Sequence, residues 1–115
     1  MASEIYVGVD IEKISRVKKL LKYRKSSLEK IFSRKELLLN PDQIAGNFAS
    51  KEAIKKALKW NQGFNLANVE ILRDEFGRPV INFTNYFLSD QYSIDLSISN
   101  VEDFVVACAV IIKNG

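Results

Sequence analysis

The 115-residue chain contains no histidine. This absence excludes Ser–His–Asp and Cys–His catalysis, zinc held by histidine, and a histidine-based pH switch. Any acid–base or metal chemistry would therefore use Asp, Glu, Lys or Tyr. A metal bound by carboxylates alone would be a hard cation such as Mg²⁺.

Cysteine and long apolar stretches are also scarce. Cys108 is the single cysteine, so the chain cannot form an internal disulfide. It lies in an apolar run, and we expect a small core residue in a cytoplasmic protein. No apolar run approaches the ~20 residues that a membrane span needs. The first residues lack the basic and apolar regions of a signal peptide, so we expect no leader and no membrane partner.

Composition and charge predict a folded chain with an acidic partner. The hydrophobic fraction of 47% is too high for a disordered chain, and the length suits a single domain over residues 1–115. Ten of the 17 basic residues fall between Lys13 and Lys35, where Glu29 is the only acid. A charge distribution this uneven indicates an acidic partner for the first third of the chain.

The stretch Phe48–Ala57 is the first candidate for chemistry. Good helix formers without Gly or Pro predict a helix, and its i,i+4 spacing places Glu52 and Lys56 on one face. Ala45 and Ala49 continue that row, and if the pair is a site we expect this helix face to turn toward a cleft. Taken alone, such a pair is more often a surface ion pair than a site.

Asp10 is the second candidate. Ile5–Ile11 alternates as a strand, which Asp10 closes just before a helix that begins near Lys13. The carboxylate could face a cleft at the strand end, or it could cap the helix. The residues favour the two interpretations about equally.

The segment Ile14–Lys25 predicts a basic amphipathic helix, with Arg16, Lys19 and Lys22 opposite its apolar face. An acidic protein helix, nucleic acid or an anionic membrane surface could each bind such a helix, and an ordinary solvated face is also possible. The helix carries one aromatic residue, Tyr23, and no recognised nucleic-acid-reading motif. We therefore rank a nucleic-acid-binding module below the other functions.

The remaining elements complete an α+β fold. Ser33–Glu36 is a capping-box signature that begins a helix at Ser33, and Leu28–Phe32 predicts a short helical piece after a break at Ser26 and Ser27. The central helix is predicted to stop near residues 61–63. Downstream, we expect a hairpin of two strands, a helical turn, and two further antiparallel strands, over Leu66–Arg73, Val80–Phe83, Asn85–Leu88, Tyr92–Ser99 and Phe104–Ile112.

Four motifs together resemble the holo-[acyl-carrier-protein] synthase family of 4′-phosphopantetheinyl transferases. Gly8–Ile11 followed by Arg16 is similar to the family's opening motif, G-[IVL]-D-[IL] with a later arginine. Phe32–Glu36 resembles F-[ST]-x-x-E, and Phe48–Ala57 resembles [FW]-A-x-K-E-A-x-x-K-A, the most specific of the four. Gly77–Pro79 is similar to the family's G-[KR]-P turn. The resemblance covers essentially the whole chain.

The resemblance implies transfer of the 4′-phosphopantetheine arm of coenzyme A to a serine of an acyl carrier protein, with release of adenosine 3′,5′-bisphosphate. It implies that Asp10 and Glu52 bind Mg²⁺, that Lys56 contacts the transferred phosphate, and that Glu52 is a candidate base, acting directly or through water. The residues it assigns to coenzyme A are Lys51, Lys56, Gly63, Gly77, Arg78, Pro79, Ser99 and Asn100. Those it assigns to the acidic carrier protein are Arg16, Lys19, Lys22 and Arg24. A homotrimer with sites at subunit interfaces is implied as well.

Two positions depart from the family pattern. The late motif S-[IL]-[ST]-H ends here in Asn100, which can donate a hydrogen bond but cannot carry charge. The glycine-rich loop after the central helix retains Gly63 alone within residues 61–64. A slow or inactive relative that binds coenzyme A or a carrier protein is therefore the alternative hypothesis.

Overall fold

The computed structural model describes residues 4–58, 65–84 and 90–114. In this part of the chain the strands are β1 (Glu4–Lys13), β2 (Val69–Arg73), β3 (Pro79–Phe83), β4 (Tyr92–Val101) and β5 (Phe104–Lys113). The helices are α1 (Ile14–Tyr23), α2 (Lys25–Leu28), α3 (Arg34–Leu37) and α4 (Pro41–Leu58), and a 3-10 turn covers Leu66–Asn68. The predicted α+β class is confirmed. No described helix is both long and apolar enough to cross a membrane.

The main sheet is antiparallel with the strand order β1–β5–β4, and β2 and β3 pair as a separate hairpin. The apolar strand β5 lies in the middle, as its composition predicts, because a central strand is covered on both edges. The first strand also belongs to this sheet, because β1 pairs with β5 along its whole length. The first strand therefore brings its side chains into the same layer as the last two.

Helix α4 packs across β1 and β5. Its alanines at 45, 49, 53 and 57 are fully buried, and these small side chains allow the helix backbone to approach the sheet closely. The same face of the sheet contributes Val105, Ala107 and Ala109 to the core. The opposite face carries exposed apolar side chains, which are Ile5, Val7, Val9 and Ile11 on β1 and Val110 and Ile112 on β5.

The capping box at Ser33 is confirmed. The Ser33 hydroxyl accepts a hydrogen bond from the Glu36 backbone N–H at 3.1 Å, and the Glu36 carboxylate accepts one from the Ser33 backbone N–H at 3.0 Å. The hairpin is confirmed as well, with Pro79 as the first residue of β3. In both cases the signal is local, because capping and turn chemistry involve residues a few positions apart.

Several predicted boundaries were wrong. Strand β1 continues three residues past Asp10 to Lys13, so Asp10 lies within the strand. Ser26 and Ser27 lie inside α2 instead of breaking it. Residues 66–68 form the 3-10 turn, held by the Asn65 side chain, so the strand begins at Val69. The predicted end of α4 near residues 61–63 and the helical turn over 85–88 lie outside the described residues.

Candidate functional site

The site begins with an ion pair between β1 and α4. Lys56 Nζ lies 2.8 Å from Asp10 Oδ1 and 3.3 Å from the Val9 carbonyl oxygen. The Asp10 side chain is 11% exposed and that of Lys56 is 58% exposed, so the pair lies at the border of the core and solvent. The hydrogen bond that Lys56 donates to Asp10, together with the negative charge of Asp10, raises the pKa of Lys56 above its usual value. The Lys56 ammonium group is therefore positively charged at neutral pH, held by Asp10 on one side and exposed to solvent on the other.

The second oxygen of Asp10 has no hydrogen-bond partner among the described residues. Oδ2 is buried there without an accepted hydrogen bond, which is costly for a carboxylate oxygen. Glu52, one turn before Lys56 on α4, is half-buried, and its charge also raises the pKa of Lys56. An unsatisfied carboxylate oxygen beside a second carboxylate fits Mg²⁺, which takes one or two protein carboxylates together with substrate oxygens and waters. The described residues contain no group of three or more Cys, Asp and Glu that could hold a metal.

Two expectations for this region were wrong. Lys56 pairs with Asp10, and the described ion pairs include none between Lys56 and Glu52, so the surface i,i+4 pair does not form. Ala45 and Ala49 are fully buried under the sheet and do not line a cleft. The structure also decides against Asp10 as a helix cap, because the first turn of α1 is capped by Asp103.

Glu12 is a residue of this region that the motifs did not indicate. It lies two positions after Asp10 on β1, so the two side chains face the same side of the sheet. Burial raises the pKa of Glu12, the charge of Asp10 raises it further, and Arg16 opposes the shift. Strand alternation alone would have placed this third carboxylate near the pair. Its presence adds negative charge to the neighbourhood of Lys56.

Lys51 does not belong to the site, which corrects the expectation that it binds coenzyme A. Its Nζ donates to the Ile31 carbonyl at 2.7 Å and to Glu36 Oε1 at 2.8 Å, and both charged side chains are 1% exposed. Burial lowers the pKa of Lys51, and the hydrogen bond to Glu36 partly opposes that shift. Glu36 is further held by Asn47 Nδ2 at 3.0 Å. A ligand could reach this ammonium group only by displacing these contacts.

The structure places Ser99 and Asn100 on opposite faces of β4, since neighbouring residues in a strand alternate. Asn100 is level with Val105 of β5, which is level with Glu12 of β1. Two strand spacings separate Asn100 from Glu12, roughly 10 Å. Asn100 thus faces the side of the sheet that carries Asp10, and Ser99 faces the other side.

The residues predicted for the adenosine end form the turn between β2 and β3. Asp74 Oδ1 accepts hydrogen bonds from the backbone N–H groups of Phe76 and Arg78, both at 2.9 Å, and Gly77 has a positive φ of 81°. A small cleft beside Arg78 and Pro79 is bordered by Leu96 of β4. The turn therefore lies at the edge of the sheet opposite to Asp10, so a single subunit does not bring the two halves of the predicted site together.

The predicted carrier-protein residues Arg16, Lys19, Lys22 and Arg24 are all exposed, on α1 and at its C-terminal end. The neighbouring Lys18 makes an exposed ion pair with Asp42 at 3.5 Å. The basic face of α1 is thus open to a partner. Gly63 lies outside the described residues.

Comparison with known proteins identifies the family to which the chain is similar. The family model of the 4′-phosphopantetheinyl transferase superfamily matches residues 6–109. A holo-[acyl-carrier-protein] synthase of Clostridium botulinum (strain Eklund 17B) is 38% identical over 91% of this chain and 94% of its own length.

Solved structures agree with the sequence relatives. The holo-[acyl-carrier-protein] synthase of Helicobacter pylori, in complex with coenzyme A, is 29% identical with a TM-score of 0.78, over 91% of this chain and 98% of that one. The enzyme of Bacillus anthracis, described in complex with CoA (3′,5′-ADP), is 26% identical with a TM-score of 0.78, over 98% and 100% of the two chains. The match in sequence and in fold extends over nearly the whole chain, which therefore belongs to the holo-[acyl-carrier-protein] synthase family of the 4′-phosphopantetheinyl transferase superfamily.

Proposed function

We propose that this chain transfers the 4′-phosphopantetheine group of coenzyme A to a serine of an apo acyl carrier protein and releases adenosine 3′,5′-bisphosphate. The observation that carries the proposal is the contact between Asp10 and Lys56. One Asp10 oxygen is buried and has no hydrogen-bond partner in the described part of the chain, and the Lys56 side chain is 58% exposed. The names of the relatives and the coenzyme A bound to two of the solved structures support the same reaction.

Lys56 suits the transferring phosphate. An ammonium group has three donors, and two of them are used by Asp10 and the Val9 carbonyl. The third remains for a phosphate oxygen, on the solvent side of the pair. Because the contact with Asp10 restricts the position of the ammonium group, its charge is oriented before the substrate arrives, which is how electrostatic stabilisation of phosphoryl transfer works best.

Asp10 and Glu52 are the residues that would hold Mg²⁺. When bound, Mg²⁺ neutralises charge on the pyrophosphate of coenzyme A. Asp10 would offer the oxygen Oδ2, which none of the described residues contacts by a hydrogen bond. Glu52 would complete the carboxylate pair from the adjacent face of α4.

The partner is an acidic acyl carrier protein, bound by the exposed basic face of α1. Long-range attraction between opposite charges raises the rate of association, and a helix of Lys and Arg would steer such a partner toward the site. Free Cys108 agrees with a cytoplasmic location, which is part of the proposal.

We also propose a homotrimer with sites at the subunit interfaces. The face of the main sheet opposite to α4 exposes Val7 at 61% and Val9 at 56%, within a row of apolar side chains that is unusual for a monomer's surface. The separation of the Asp10 region from the Gly77–Pro79 turn gives a second reason, because a neighbouring subunit could supply the missing half of the site.

The test is Mg²⁺-dependent addition of the phosphopantetheine mass to several apo carrier proteins, followed by mass spectrometry. We expect product formation that chelation by EDTA abolishes and Mg²⁺ restores. Glu52→Ala should abolish turnover. Glu12→Gln removes a nearby carboxylate that is outside the proposed pair, so its effect should be much smaller. Binding of coenzyme A by calorimetry without any product, at high enzyme concentration, would contradict transfer and favour the inactive relative.

A further inference from the structure

The N-terminus of α1 is capped by a residue 88 positions away in the sequence. Asp103, in the turn between β4 and β5, accepts a hydrogen bond from the Ser15 backbone N–H at 3.0 Å and from the Ser15 hydroxyl at 2.5 Å. Its backbone carbonyl accepts a third bond from the Ile14 N–H at 2.8 Å. One residue thus satisfies two of the free N–H groups at the start of the helix.

Helix α1 has little else to hold its first turn. The position before the helix is Lys13, which makes no side-chain cap, and no acidic residue lies in the first turn. A ten-residue helix is too short to be stable in isolation. Its several basic side chains also repel one another. Asp103 supplies the negative charge that a helix N-terminus favours.

The same turn follows Asn100 on β4, and Ser15 is followed directly by Arg16 on α1. The Asp103–Ser15 contact therefore joins the helix proposed to bind the carrier protein to the strand proposed to face coenzyme A. We infer that Asp103 is a positioning residue for the carrier protein, acting through Ser15 to fix the basic face of α1 relative to the site. This inference rests on the proposed function.

If Asp103 acted only through its charge, its removal would change the KM for the carrier protein in the opposite direction. Removing one negative charge from a basic surface strengthens the attraction for an acidic partner, so the KM for the carrier protein would fall. Loss of positioning makes that KM rise. Asp103→Ala and Asp103→Asn remove the same charge, but asparagine keeps an acceptor oxygen for the helix, so the difference between them isolates the hydrogen bonds.

The experiment measures the KM for an apo carrier protein and for coenzyme A in the full-length enzyme. We expect Asp103→Ala to raise the carrier KM about fivefold, the usual effect of losing a helix cap on an equilibrium constant. Asp103→Asn should raise it less, and the KM for coenzyme A should stay unchanged. Glu102→Gln is the matched control, because Glu102 lies in the same turn and is exposed, whereas the hydrogen bonds to Ser15 and Ile14 are accepted by Asp103.

An unchanged or lowered carrier KM in Asp103→Ala, or equal rises in the two KM values, would overturn the inference. If Asp103→Ala fails to fold, Ser15→Ala removes only the hydroxyl bond and should raise the carrier KM by a smaller factor; no change there would also overturn it. Absence of any transfer by the wild-type enzyme would contradict the proposed function instead, so the two failures are distinguishable.

Discussion

Gly8 of β1 lies directly against the carbonyl oxygen of Ala53 on α4. A Cβ atom built on Gly8 would be 1.9 Å from that oxygen and 2.9 Å from the Ala57 nitrogen, closer than any real contact. Strand and helix can approach this closely only because position 8 has no side chain. The close approach also brings Asp10, two residues along β1, within reach of Lys56 on the next turn of α4.

Gly8→Ala should therefore be strongly destabilising. The backbone of α4 would have to move, and overpacking of this kind costs about 3 kcal/mol or more when backbone is involved. Thermal or urea unfolding measures the loss, and transfer activity should fall with it because the Asp10–Lys56 distance would change. Gly46→Ala is the matched control, since its Cβ would be 3.3 Å from the Ile98 Cγ2 methyl, so that only a side chain and not backbone would have to shift, by a few tenths of an ångström. Equal stabilities of the two variants would contradict this account.

Lys51→Met should destabilise the protein by about 3 kcal/mol, because it leaves the buried Glu36 carboxylate without its counter-charge. Adding Glu36→Leu should recover part of the loss. Lys55→Met, on the exposed side of the same helix, should change stability by less than about 0.5 kcal/mol. Urea unfolding curves check all three variants. If Lys51→Met left the stability unchanged, the contact between Lys51 and Glu36 would not hold α3 to α4.

Asp74 should give a pH-dependent contribution to stability. Backbone hydrogen bonds from Arg78 and Phe76 lower its pKa, outweighing the opposing effect of burial, and the charge of Arg78 lowers it further. A carboxyl whose pKa is lower in the folded state contributes stability that is complete above its unfolded value, about pH 4. That contribution is lost as the pH falls through the folded pKa.

The measurement compares urea midpoints of the wild type and Asp74→Asn between pH 3 and pH 7. We expect the urea midpoint of the wild type to exceed that of Asp74→Asn by a constant amount near neutral pH. This difference should shrink below about pH 4. Glu75→Gln, in the same turn, provides the control, because the backbone hydrogen bonds of Phe76 and Arg78 are accepted by Asp74. A difference between the two midpoints that grows on acidification would contradict a lowered pKa of Asp74 in the folded state.

Val9→Lys should dissociate the proposed trimer. It places a charge on the apolar outer face of the sheet, where burial against another subunit would be unfavourable. Leu38→Lys changes an apolar residue that is 86% exposed at the end of α3 and should leave the assembly intact. Sedimentation equilibrium distinguishes the species. A monomeric wild-type protein would rule out the trimer, and a trimeric Val9→Lys would place its interface elsewhere.

Local chemistry accounts for what could be predicted about the fold. The capping box at Ser33 and the hairpin before Pro79 both depend on residues close together in sequence. The boundaries of β1 and α2 were missed because pairing with β5 extends the strand and packing tolerates serines in a short helix. Of the candidate site, the motifs named Asp10 and Lys56 as separate members, and only the structure shows that the two side chains are in contact.

The sequence by itself determined the family, the α+β class and the residue types available for chemistry, because motif spacing and the absence of histidine are properties of the sequence alone. Only the tertiary structure decided which side chains are buried and which contact one another. A helix rotates by about 100° per residue, so Lys51 and Glu52 point in different directions, and the contacts with Glu36 decide that Lys51 is the buried one. Likewise, the partner of Lys56 is Asp10 and the cap of α1 is Asp103, since both contacts join elements far apart in the chain and depend on how the sheet packs.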